Sequence, residues 1–173
     1  KIERKKSFQD IKKTFKDITT VVKAEGNYSN LLFVHTETKS EALKKLLIQY
    51  DETDWEFLKR ISSELKMPVF LEDGAQIDES KNNRTTERKK WCIWFGIPER
   101  GEKLLEHEKG VREIINGLGE ELIVFTSPNK YELGDNIKFN NNNYVILEST
   151  SYISGNTLLT DYTMSKKEKI KIK

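Results

Sequence analysis

A chain of 173 residues, 36% hydrophobic and 34% charged, has material for one ordinary domain or two small ones around a thin core. Its 30 basic and 28 acidic side chains leave a net charge of +2, which gives no support to a nucleic-acid protein at the level of whole-chain charge. Aromatics at 10% and clear apolar periodicity argue against a disordered chain, and no apolar run reaches the length of a membrane span.

The chain begins at Lys1 without Met, so a piece of a longer protein is expected. The Lys-rich ends, KIERKK and KKEKIKIK, read as solvated. Residues 14–26, TFKDITTVVKAEG, predict a helix capped by Thr14, with Asp17 in its first turn and Gly26 at its stop. Phe15, Ile18 and Val22 share one face; the β-branched run Thr19 to Val22 works against helix. LLFVHT, Leu31 to Thr36, predicts a strand, and Leu46, Ile48 and Tyr50 alternate as in a second one.

The next segment, QYDETDWEFLKR, carries the strongest local signal. Thr53 and Glu56 form a T-x-x-E capping box, and Asp54 and Glu56 place negative charge where the helix dipole favours it. Trp55, Phe57, Leu58, Ile61 and Leu65 fall on one half of the helical wheel and are expected to be buried. Glu56 and Arg60 stand four apart in the favourable order. Pro68 is expected to end the helix. Capping and dipole account for the acids without acid–base catalysis.

PVFLEDGAQID predicts two strands about an Asp73-Gly74 turn, and ESKNNRTTERKK a charged loop. WCIWFGIP predicts a strand covered on both faces, with Trp91, Ile93 and Phe95 on one and Cys92 and Trp94 on the other. The lone Cys92 reads as a buried thiol. In GVREIINGLG, Val111, Ile114, Ile115 and Leu118 have helical spacing, limited to a short piece by Gly110, Gly117 and Gly119. ELIVFTS, NIKFN, NYVILES and NTLLTDYTM then predict successive short strands with Asn- and Gly-containing turns, a small barrel or sandwich. The expected fold is α+β over residues 1–110, followed over 111–173 by a partial small antiparallel β-barrel.

No H-E-x-x-H, Cys/His cluster, Gly-rich phosphate loop or G-x-S-x-G is present, and Asp135 in YELGDN is too few carboxylates for calcium. No catalytic residue, cofactor or metal is therefore expected. Two alternatives remain open on the residues. One is an OB-like module gripping single-stranded nucleic acid through Trp91, Trp94 and the Lys-rich ends. The other is a cell-wall hydrolase whose active site lies outside this chain.

Gln49, Tyr50, Glu52, Thr53, Asp54, Trp55, Phe57, Leu58 and Arg60 match a Q-Y-x-E-T/S-D-W/F-x-F pattern continued by an aliphatic residue and Arg, with Ile61 in place of the usual Leu. On these residues the chain resembles the baseplate hub and spike proteins of contractile injection systems, the phage late control protein D and VgrG-type family. Ser7, Phe8, Gln9, Thr14 and Phe15 resemble the segment just upstream, WFGIPERG a strand ending, and YELGDNIKFNNNNYVI the lead-in to the family's second barrel. The likeness runs from about Ser7 to Tyr162; the family's first barrel and Gly-rich spike are not in this sequence. It implies a structural role. Homo-trimers contribute two barrels per protomer to a pseudo-sixfold ring that joins tail tube to spike, buttressed by an α+β domain. Assembly in the cytoplasm into a phage particle or injection apparatus is implied, with nucleic acid only as passing cargo, and with Gln49 to Arg60 a folding signature.

Overall fold

The computed structural model describes residues 3–36, 42–75, 90–105 and 110–170. They form two compact units, Lys1–Ile97 and Pro98–Lys173. The change of composition near Gly110–Gly119 lies within the second unit, because the strand at Lys103–Leu104 already pairs in that unit's sheet.

In the first unit, β1 (Glu3–Phe8) pairs antiparallel with β3 (Leu47–Thr53). A second sheet has β5 (Lys90–Phe95) at its centre, parallel to β2 (Leu31–His35) and antiparallel to β4 (Val69–Ala75). Helices α1 (Phe15–Glu25) and α2 (Asp54–Glu64) pack their apolar faces into one core with these strands. Helix α1 forms despite its β-branched run because Phe15, Ile18 and Val22 are buried and Thr14 and Asp17 close a capping box, Thr14 N–H donating to Asp17 Oδ2 at 2.8 Å. Ile93, Phe95 and Cys92 are buried on opposite faces of β5 as expected; Trp91 is instead 55% exposed.

Helix α2 stops before Pro68 takes effect. Lys66 has φ 56°, its N–H donates to the Ser63 carbonyl, and Met67 N–H reaches back to Ser62. This is the double bond pattern of a Schellman motif, with buried Met67 in one cluster with Ile61 as its hydrophobic contact. Lysine occupies the left-handed position that favours glycine. Lys66→Gly is expected to raise the unfolding free energy by about 0.5–1 kcal/mol in urea titration, relief of the Cβ clash exceeding the extra entropy of the unfolded chain.

Asp73 and Gly74 lie inside β4, and do not form the predicted hairpin turn. The ladder to β5 shifts register between Glu72 and Ala75, so the strand absorbs the pair as a bulge. The remainder of that hairpin and the charged loop fall in 76–89, outside the described residues.

His35 ends β2 among aromatic rings, stacked on Phe95 at 5.1 Å and edge-on to Phe15 at 5.4 Å. Thr19 Oγ1 gives its proton to the Lys16 carbonyl, so His35 Nε2, 2.9 Å away, is the donor to Thr19. Burial, with a smaller contribution from the Lys16 charge, pushes the imidazole pKa down to about 4. Between the unfolded value of about 6.5 and that folded value the unfolded chain binds the extra proton, so stability falls as pH drops through this window. A loss of roughly 1–2 kcal/mol is expected from tryptophan fluorescence in urea at stepped pH, and His35→Gln flattens it.

The second unit is a six-stranded sheet in the order β6-β9-β10-β11-β8-β7, with β6 Lys103–Leu104, β7 Arg112–Ile115, β8 Glu121–Ser127, β9 Asn136–Phe139, β10 Asn142–Ser154 and β11 Thr157–Lys166. A single turn, α3 (Lys167–Ile170), follows. Ile123, Phe125, Ile137, Ile146, Tyr162 and Met164 carry the core. Asn140 and Asn141 both have positive φ, 47° and 61°, as a two-residue hairpin turn with the twist of its strands requires.

The expected short helix over 111–118 is a strand and turn. β7 pairs antiparallel with β8, and the helically spaced Ile115 and Leu118 are 74% and 83% exposed, so that spacing has no buried face to serve. Strand accounts for 49% of the described residues and helix for 18%, which makes the fold mainly β where α+β was expected. No closed barrel is found among the described residues: the edge strands β6 and β7 do not pair with each other, and the sheet stays open.

Candidate functional site at a strand-to-helix joint

The Gln49–Arg60 segment is built on a break in a ladder. β1 and β3 pair Arg4 with Glu52 and Lys5 with Tyr50, which leaves Asp51 as an extra residue. Asp51 takes φ 48°, a left-handed conformation that a short polar side chain tolerates better than most. Its carboxylate faces Lys5 Nζ at 3.4 Å. Two residues later Thr53 leaves the strand and caps α2: its N–H donates to Glu56 Oε2 at 2.8 Å and its Oγ1 accepts from Glu56 N–H at 3.3 Å.

Asp54, 4% exposed, is the centre of a buried polar network. Gln49 Nε2 donates to its Oδ1 at 2.9 Å and Tyr28 Oη to its Oδ2 at 2.9 Å. Arg4 Nε lies 3.1 Å from Oδ1 without its N–H aimed there, an ion pair rather than a hydrogen bond. Arg4 also donates to the Glu25 carbonyl at 3.2 Å, and Lys6 pairs with the Glu25 carboxylate, tying β1 to the end of α1. Burial, then the hydrogen bond to Asp54, raises the Tyr28 pKa. Gln49 also donates to the Glu52 carbonyl at 3.2 Å, while its Oε1 has no hydrogen-bond partner among the described residues. Turning the amide over would aim that oxygen at two acceptors, so the donors fix its orientation.

Arg60 does not pair with Glu56, whose carboxylate is committed to the cap. It reaches back to β3 instead: Nη2 donates to Glu52 Oε1 at 2.5 Å and to the Ile48 carbonyl at 2.7 Å, Nε to Glu52 Oε2 at 3.3 Å, and Nη1 pairs with Glu64 at 3.2 Å. The Glu52 hydrogen bonds come first in raising the Arg60 pKa. The forked cation thus clamps helix to strand.

Phe57, Leu58 and Ile61 are buried as expected, and Leu65 is half-buried. Trp55 is 37% exposed with Lys59 Nζ over its ring at 5.5 Å, a correction to its predicted burial. β3 likewise turns Leu47 and Gln49 inward, leaving Leu46, Ile48 and Tyr50 exposed. The alternation was legible; which side faced the core was not. Arg4 and Tyr28 were missed. Arg4 sits in a Lys-rich stretch that reads as solvated, and its only signal is the spacing of four from buried Phe8, which puts both on one strand face.

Chemically the arrangement holds backbone and charge in place. Every carboxylate of the segment is engaged by a cap, a cation or a buried donor. Among the described residues no group of three His, Cys, Asp or Glu side chains is placed to hold a metal. Among the described residues no helix is long and apolar enough to cross a membrane. At the aromatic strand, Trp94 Nε1 donates to Glu72 Oε2 at 2.6 Å; a carboxylate beside that ring opposes a phosphate backbone.

No protein-family profile matches the chain, and no curated protein matches it by sequence. Its fold is similar to that of a solved structure, the E. coli c3393 protein, described as a component of the type VI secretion system with structural similarity to T4 bacteriophage tail proteins gp27 and gp5. The two share 14% sequence identity with a TM-score of 0.67 over 95% of this chain and 51% of that one, so the present chain spans about half its length. The likeness is one of fold, to a secretion-system component described as structurally similar to phage tail proteins.

Proposed function

We propose that the chain is part of a structural baseplate hub component of a phage tail or phage-tail-like contractile injection system, of the late control protein D and VgrG-like kind. The observation that carries this reading is the fold likeness to a type VI secretion component over 95% of the chain. The Gln49–Arg60 pattern is in keeping with it, since its members lock a strand to a helix. In this reading the complete protein is a homo-trimer that joins tail tube to spike. The final strands supply part of a barrel-like portion, and the work done is mechanical rather than enzymatic. It assembles in the cytoplasm and then forms part of the particle.

Disrupting the gene in its own host and imaging lysates by negative stain tests this. Sheathed or tubular particles should fail to assemble, and should return, with an epitope tag located at the baseplate end, on complementation. Normal particles in the disrupted strain, or a tag absent from purified particles, would overturn the reading. Lysis of purified cell walls by the complete protein would overturn its non-enzymatic part.

A further inference from the structure

The turn between β7 and β8 holds Asn116-Gly117, the sole Asn-Gly pair in the sequence. Gly117 is exposed, nothing lies within 4 Å of where a Cβ would stand, and its N–H makes no hydrogen bond among the described residues. A glycine amide so placed is the backbone nucleophile that closes a five-membered ring on the preceding Asn side chain with least hindrance. The Asn116 side chain, however, is held at both ends. Its Oδ1 accepts from Leu118 N–H and Glu120 N–H, each at 2.9 Å, and its Nδ2 donates to Glu120 Oε2 at 2.9 Å. Asn116 N–H bonds the Glu120 carbonyl at 3.0 Å and Gly119 N–H bonds the Asn116 carbonyl at 2.9 Å, closing the turn around it.

We propose that Asn116 is a latent self-modification site, kept as the amide by this clamp and converted when the hairpin opens. The Gly117 amide nitrogen loses its proton to water and attacks Asn116 Cγ. The tetrahedral centre collapses as Nδ2 takes a proton and leaves as ammonia, giving a succinimide. Water then opens the ring at either carbonyl to aspartate or isoaspartate. No oxidant, metal or enzyme is needed. In the closed turn the clamp opposes the rotation that would bring Cγ onto the nitrogen, and it must break first. Either product weakens the turn, although aspartate still offers an oxygen to the Leu118 and Glu120 amides. The donor to Glu120 is gone, two carboxylates face each other across the loop, and isoaspartate lengthens the main chain where Asn116 and Glu120 pair. Conversion is thus a one-way loosening of a hairpin whose tip exposes Ile115 and Leu118.

The test is peptide mapping by mass spectrometry of the whole chain held in warm, mildly alkaline buffer, folded and in urea. The folded chain should convert slowly at Asn116 and the urea-unfolded chain quickly. Gly117→Ala should slow the unfolded reaction roughly tenfold through crowding at the nucleophile. In the folded chain Glu120→Ala should speed conversion about fivefold, the worth of one lost hydrogen bond, whereas Glu120→Gln keeps an acceptor and stays slow. Hydrogen exchange at the Asn116 amide should rise with the conversion rate across this series. Equal rates folded and unfolded, a Glu120→Ala rate no different from that of the parent, or no conversion in urea would each overturn the proposal.

Discussion

Replacing Asp54 with Ala is expected to lower the unfolding free energy by about 3–5 kcal/mol, the cost of breaking a buried charge network from its centre. The carboxylate is 4% exposed and serves three partners from three places: Gln49 on β3, Tyr28 after α1 and Arg4 on β1. Its removal takes a partner from two neutral donors and a cation, of which Gln49 is buried and Tyr28 and Arg4 are partly buried; Gln49 keeps the Glu52 carbonyl. Arg4 retains the Glu25 carbonyl, which moderates the loss. Because the coupling runs through shared partners, Arg4→Met combined with Asp54→Ala should cost less than the two single changes added. Asp54→Asn keeps the shape and one acceptor but turns an amide toward the donors, and should fall between wild type and Ala. Trp55, Trp91 and Trp94 all lie in the first unit, so tryptophan fluorescence in urea reports this transition. A loss under about 1 kcal/mol for Asp54→Ala would mean that packing of Phe57 and Leu58 alone holds the joint.

The same network marks the limit of what the residues disclose on their own. The capping box of α2 and the Thr14 cap of α1 were legible because each needs only nearby residues, and the strands from 121 onward because Asn and Gly punctuate them; that Asp17 completes a box with Thr14 is seen only in the structure. The helix dipole accounts for Asp54 in the sequence but says nothing of its burial; that depends on Arg4 and Tyr28, which only the tertiary fold brings within reach. Glu56–Arg60 was a sound local pair that lost to two tertiary competitors, the cap for one member and Glu52 for the other. Trp55 lies on the apolar half of the wheel yet at its margin, where Lys59 covers it in place of the core. The segment 111–118 failed for a different cause. Its apolar spacing suits a helix, but Gly119 at φ 76° and the Asn116 turn favour a hairpin, and of its aliphatic residues only Val111 packs against the core while Ile114, Ile115 and Leu118 stay exposed. The open sheet could not be told from a barrel by strand count, since closure depends on whether the edges pair, which is a property of register and twist.

A second buried acid should set the acid limit of the other unit. Asp135, 1% exposed, takes Arg100 Nη1 at 3.1 Å, Lys103 Nζ at 2.5 Å and the Glu132 N–H at 2.9 Å, while Asn136 beside it donates to the Pro98 and Arg100 carbonyls at 3.3 and 3.1 Å. Together they fasten the strand that enters the sheet to the turn before β9. Burial is the largest single influence on the Asp135 carboxyl and pushes its pKa up. The Glu132 amide, Lys103 and Arg100 together outweigh it and hold the value below the ordinary aspartate range. The folded pKa thus lies under the unfolded one. The stabilisation is complete above the unfolded value of about 3.9 and is lost as pH falls through the folded value. Asp135→Ala should cost about 2–4 kcal/mol near neutral pH, less than a fully enclosed pair because Lys103 is partly solvated. The variant should also lack part of the wild-type acid limb. No tryptophan lies in this unit, so hydrogen exchange at the β9 and β10 amides is the measurement that isolates it. Coincident acid limbs for wild type and Asp135→Ala would place the acid sensitivity on other carboxylates and leave this clamp a packing feature.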